Sequence, residues 1–104
     1  MAQVIEFTKN VQTGMYESEI TPTGSRLAVQ VKFDEQDASF QPASAYMNVL
    51  AQIDNDSDKV FVADVEMWQN RNRMFVLDFP SGTIVTLQTA MPVLEANILD
   101  ILDV

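Results

Sequence analysis

The stretch Arg26–Phe33 constrains the fold more than any other part of the chain. Leu27, Val29, Val31 and Phe33 alternate strictly with Arg26, Ala28, Gln30 and Lys32. Side chains leave a strand on opposite faces at successive residues, so this pattern builds a strand with one face in a core and one in water. A helix would spread the same four apolar residues around its circumference. The preceding run Thr21-Pro22-Thr23-Gly24-Ser25 has turn chemistry, because proline presets φ and glycine accepts positive φ. Met15–Ile20 alternates more weakly, and the two segments read together as a hairpin.

A second β-prone group follows. In Val60–Trp68, period two places Phe61, Ala63, Val65 and Met67 on one face and Val60, Val62, Asp64, Glu66 and Trp68 on the other. The polar run Gln69-Asn70-Arg71-Asn72 and the run Pro80-Ser81-Gly82 read as turns. They delimit Met74–Phe79 and Thr83–Thr89 as further strands of an antiparallel meander. Gln3–Phe7 suits an added edge strand.

Two segments carry helical spacing. Pro92–Leu102 predicts a C-terminal helix: Pro92 fits the first helical position, and Leu94, Ile98, Ile101 and Leu102 fall on one side. Val93, Leu99 and Val104 fall elsewhere, so the helix would carry more apolar surface than one core-facing stripe. Asp100 and Asp103 run against its dipole. Ala43–Ile53 predicts a central helix through Tyr46, Val49, Leu50 and Ile53, yet Ala45, Met47, Val49, Ala51 and Ile53 also alternate as in a strand. The expected fold is therefore α+β: an antiparallel sheet of about five or six strands, built as a meander plus a hairpin, with a central and a C-terminal helix. The alternative is an all-β sandwich with a C-terminal helix, in which Asp54–Asp58 is the loop leading to Val60–Trp68. The expected core is Leu27, Val29, Val31, Phe33, Phe61, Val65, Phe75, Leu77, Leu94 and Ile98.

At 104 residues, with no linker-like tract and no internal repeat, residues 1–104 read as a single domain. An apolar fraction of 47% argues against intrinsic disorder. Histidine and cysteine are absent. The chain thus lacks the commonest general base, the commonest metal ligand, and any disulfide or thiolate zinc site. No run approaches the roughly 20 apolar residues of a spanning helix, and the first residues do not resemble a signal peptide. These features set the expectation of a cytoplasmic protein that does not bind membranes.

Candidate chemistry is sparse. Asp54-Asn55-Asp56-Ser57-Asp58 begins like a calcium loop, but Lys59 stands where the loop needs glycine and Val65 where it needs glutamate. Asp64, Glu66 and Asp78 are carboxylates within strands, the residue type of a general acid–base pair, although acids on a wetted sheet face are routine. The serines have no histidine partner, no Ser-x-x-Lys spacing occurs, and Gly14, Gly24 and Gly82 are isolated, so no phosphate-cradling loop is present. The chain reads as non-enzymatic, with no cofactor.

Six basic residues face fifteen acidic ones, a formal net charge of -9, which disfavours nucleic acid as a direct partner. The sequence points instead to a small acidic protein-interaction module: an inhibitor, adaptor or accessory subunit of phage or mobile-element type. Its partner would be a protein, with a basic surface among the options. Glu17, Glu19, Asp34, Glu35, Asp37 and the Asp54–Asp58 run could imitate nucleic-acid phosphates on such a partner. The alternative is a structural component, such as a small virion protein, assembling as a homodimer or higher homo-oligomer. Candidate contact residues are Val93, Leu99 and Val104 on the over-apolar helix, Trp68, Arg71 and Arg73 at the hairpin tip, and Asp54, Asp56 and Asp58 in the acidic loop.

Overall fold

Arg26–Phe33 forms the strand its alternation predicts, with Leu27, Val29, Val31 and Phe33 buried and the intervening residues facing out. In the computed structural model, which describes residues 3–21 and 24–102 apart from the side chains of 99–102, the other elements are strands too, save for one 3-10 turn among the described residues. In chain order the strands are β1 (Gln3–Val4), β2 (Thr8–Lys9), β3 (Tyr16–Ile20), β4 (Arg26–Phe33), β5 (Tyr46–Gln52), β6 (Val60–Glu66), β7 (Asn72–Asp78), β8 (Ile84–Thr89) and β9 (Val93–Leu102). A single 3-10 turn, Pro42–Ser44, precedes β5.

Two antiparallel sheets result, one ordered β1-β9-β4-β7 and the other β2-β3-β8-β5-β6. Their inner faces share one apolar core, which joins Leu27, Val29, Val31, Phe33, Phe75, Ala96 and Ile98 of the first sheet to Ile20, Met47, Val49, Val85 and Leu87 of the second. The shortest molecular extent, 20 Å, matches two sheets stacked about 10 Å apart with side chains on their outer faces. With the two-residue β2 set aside, the strands interleave between the sheets in the order of a jelly roll.

The α+β expectation is therefore wrong, and the all-β sandwich is right except for its terminal helix. Pro92–Leu102 is strand β9, paired with β4 along nearly its whole length. Its helical spacing comes from two bulges. Lys32 pairs with Glu95 but Phe33 with Val93, so Leu94 is extra; Val29 pairs with Ile98 but Ala28 with Asp100, so Leu99 is extra. Each extra residue shifts the period-two parity by one. Val93, Ala96 and Ile98 face inward, whereas Leu94, which helical spacing sets beside Ile98, is the extra residue of a bulge and is exposed. Pro92 opens no helix. It lies just before the strand, and its carbonyl accepts the Asp34 N–H at 2.9 Å.

The expected central helix, Ala43–Ile53, is mostly strand β5. Ala45, Met47 and Val49 are buried, while Tyr46 and Ile53 of the supposed helical face are exposed. The strands also connect differently from the expected meander and hairpin. β3 pairs with β2 and β8, not with β4, so Met15–Ile20 and Arg26–Phe33 lie in different sheets. β6, β7 and β8 alternate between sheets rather than forming a meander. Local hairpins are β2–β3 and β5–β6, the second closed by the Asp54–Asp58 loop. Within the expected core, Phe61 and Leu94 are exposed, Val65 and Leu77 are partly buried against the core, and the other members are buried.

Candidate protein-contact surface

The sandwich has two open sides. On one, β1 and β2 form the sheet edges; on the other, β6 and β7 do. The β6/β7 side collects exposed apolar side chains: Ile53 in the preceding loop, Val60, Phe61 and Val62 on β6, Trp68 in the connection, and Met74 and Val76 on β7. Of the other exposed large apolar residues, Val4 and Leu94 line one cleft on the β1/β2 side and Val11 lies apart from it.

A bulge in β6 explains this exposure. Val49 pairs with Ala63 but Leu50 with Phe61, which leaves Val62 as the extra residue. Counting back in twos from buried Met67 puts Phe61 in the core; the bulge moves it to the outer face, opposite Leu50 and 58% exposed. On the other sheet the outer face is a polar ladder. Gln30 Nε2 donates to Asn72 Oδ1 at 2.7 Å, Asn97 Nδ2 donates to Gln30 Oε1 at 2.8 Å, and Arg26 pairs with Asp78 at 2.7 Å. Met74 and Val76 lie in register beside this ladder, opposite Gln30 and Ala28, and stay uncovered.

Trp68, Arg71 and Arg73 lie at the end of the sandwich where β6 passes to β7. Trp68 is exposed. The two arginines are tied into the fold. Arg71 O accepts the Phe33 N–H at 2.8 Å, and its Nε lies 3.6 Å from Glu35 Oε1, an ion pair too long to be a hydrogen bond. Arg73 Nη1 donates to Glu66 O at 2.6 Å and so bridges the edges of the two sheets. Val93 lies at this same end, opposite Phe33, and packs against the core. The Leu99 side chain and Val104 lie outside the described residues, as do Pro22 and Thr23 of the expected turn.

Asp54, Asp56 and Asp58 sit at the opposite end, the length of β5 away from Asp34, Glu35 and Asp37. The acidic loops are thus at two ends rather than on one face. Asp54 Oδ1 accepts the Asp56 N–H at 2.9 Å and the Ser57 hydroxyl at 3.0 Å, an Asx-type turn. Buried Gln52 donates from Nε2 to the carbonyls of Asp54 (2.9 Å) and Ser57 (3.0 Å), which pins the loop from below. Asp37 accepts from the Ser39 hydroxyl and N–H at 2.7 and 2.9 Å, and these bonds hold its carboxyl below the ordinary value of 3.8.

Asp64 and Glu66 occupy the five-stranded sheet and Asp78 the other, so the strand carboxylates do not converge. Among the described residues, no group of three or more acidic side chains is arranged to hold a metal, and no helix is long and apolar enough to cross a membrane. An open cleft of about 620 Å³ lies on the β1/β2 side, lined by Glu6, Asp34, Asp37 and Glu95 together with Phe7, Tyr16 and Leu94. No family model matches the chain, and neither a curated protein nor a solved structure does.

The uncovered β6/β7 side is the feature that reading the residues alone misses. One signal pointed to it. Val60-Phe61-Val62 is an unbroken apolar run within a strand, and alternation forces at least one of its members outward.

Proposed function

We propose that the chain is a non-enzymatic binding module that works by protein–protein contact through its β6/β7 side. The observation that carries this reading is the concentration of exposed Ile53, Val60, Phe61, Val62, Met74 and Val76 along the β6/β7 side. Phe61 lies on the outer face of one sheet and Met74 and Val76 on the outer face of the other, so the apolar side chains flank the two sheet edges, and exposed apolar surface gathered in this way marks contact sites on folded proteins. Trp68 at its margin adds an aromatic of the type enriched in binding hot spots. Val93–Leu102 is a strand rather than an over-apolar helix, which favours the sheet edges over the C-terminus as the contact surface.

The test is capture of partners on the immobilised chain from extracts of its native cells, run in parallel with a Phe61→Lys/Val76→Lys variant. Both positions are more than half exposed, so the variant should keep the native circular dichroism. Loss of bound protein from the variant is the expected result. A captured set unchanged by both substitutions would refute the proposed surface. Binding through the acidic loops predicts instead a steep loss with added salt, whereas apolar contact predicts little salt dependence.

A second reading, an assembly component, is favoured by the unpaired edge of β6. A sheet edge carries a row of free N–H and C=O groups that template the addition of another strand.

A further inference from the structure

We infer that the strand added to β6 is β6 of a second copy, paired antiparallel about an axis between Val62 and Ala63. This rests on the contact surface proposed above and names its occupant. Three features of β6 point to a self-complementary edge.

The first is backbone direction. Met67 N–H bonds the Ala45 carbonyl across the β5–β6 ladder at 2.8 Å. Alternation then turns Asp64 and Glu66 away from β5, and beyond the bulge it turns Phe61 outward in the same sense. The outward groups of Phe61 and Asp64 lie on either side of the proposed axis, so Phe61 of one copy meets Asp64 of the other, twice. Glu66 O already accepts from Arg73, which leaves Phe61 and Asp64 as the hydrogen-bonding centre of the contact.

The second is parity. Two regular strands related by a twofold axis normal to the sheet must pair a residue with its own counterpart at the centre. The extra residue Val62 shifts one half of β6 by one position. An axis between Val62 and Ala63 therefore keeps matching faces together: Val60 meets Val65 on the inner face and Phe61 meets Asp64 on the outer face. Val60, 62% exposed, gains a cover.

The third is charge. β6 has Lys59 at its entrance and Asp64 and Glu66 towards its exit. Antiparallel pairing brings Lys59 of each copy beside Glu66 of the other, giving two reciprocal ion pairs on a chain whose overall charge is strongly negative.

The experiment is sedimentation equilibrium on the full chain at physiological salt, comparing wild type, Lys59→Glu, Glu66→Lys and the double variant. The wild type should sediment as a dimer. Each single reversal should weaken dimerisation by about tenfold or more, since it places like charges together twice, and the double reversal should restore it. Because the chain has no cysteine, Val62→Cys should also give a disulfide-linked dimer on mild oxidation. A wild-type monomer at high micromolar concentration would overturn the inference. A dimer indifferent to both reversals would overturn it as well, as would rescue of Lys59→Glu by Asp64→Lys instead of Glu66→Lys. A monomer that still captures a different protein through Phe61 and Val76 would remove the second copy and leave the contact surface standing.

Discussion

Replacing Ile98 and Leu94 by alanine, one at a time, separates the bulged strand β9 from the helix that its spacing suggests. In a helix both side chains share the core-facing side, so the two truncations would cost similar amounts. In the strand, Ile98 is 7% exposed, opposite fully buried Val29, whereas Leu94 is an extra residue at a bulge and 59% exposed. Ile98→Ala should remove a buried side chain and leave a cavity, a loss of about 3 kcal/mol. Leu94→Ala forfeits only the minor part of a leucine's burial, below about 1 kcal/mol. For a domain of this size, each kcal/mol moves the melting temperature by about 4–8 °C, so a difference of about 2 kcal/mol should separate the two melting temperatures by about 8–16 °C. Guanidinium unfolding followed by tryptophan fluorescence, with equal m-values as the control, reads the same difference. Equal losses from the two substitutions would refute the placement of the bulges and the core they define.

Other substitutions test local parts of the fold. Gln52→Ala should cost about 1–2 kcal/mol in denaturant unfolding, because Gln52 supplies both hydrogen bonds that pin the 54–58 loop, and should speed amide exchange there. Gly82 has φ +86 with open space around it, so Gly82→Ala should cost about 1 kcal/mol through backbone strain alone, read from its melting temperature. The Asp37 carboxyl should titrate below 3.8 by NMR, and Ser39→Ala should return it towards that value. Since the folded-state pKa is the lowered one, the stability linked to Asp37 is present above 3.8 and is lost as the pH falls through the folded value.

Strand β4 was fully legible because it is regular: no extra residue interrupts its own alternation, so period two and burial coincide. β9 and β6 were misread for one shared reason. A bulge adds a residue without changing the local β-propensity, so a rule that counts in twos inverts at that point. In β9 the inversion looked like a helix, and in β6 it sent Phe61 to the core. The acids Asp100 and Asp103 at the supposed helix C-terminus were the one residue-level signal against that helix. Which sheet each strand joins was not legible, because Met15–Ile20 and Arg26–Phe33 satisfy a hairpin as well as they satisfy strands in opposite layers. Around Trp68, Arg71 and Arg73 the expected hairpin tip is instead a passage between sheets: Trp68 lies beyond the end of β6 rather than in the strand, Arg71 lies in the connection, and Arg73 lies inside β7. That Arg71 and Arg73 are held by Glu35 and by the Glu66 carbonyl depends on tertiary contacts that no local pattern records.

The most direct measurement is amide hydrogen exchange at Phe61 and Asp64 by NMR, across a dilution series of the intact chain. On an unpaired edge these two N–H groups are open to water, whereas Met67 is bonded to Ala45 in every state. Exchange at Phe61 and Asp64 should slow with rising concentration while Met67 stays constant. Rapid, concentration-independent exchange at both, in a chain that remains monomeric and binds nothing through this edge, would contradict the account.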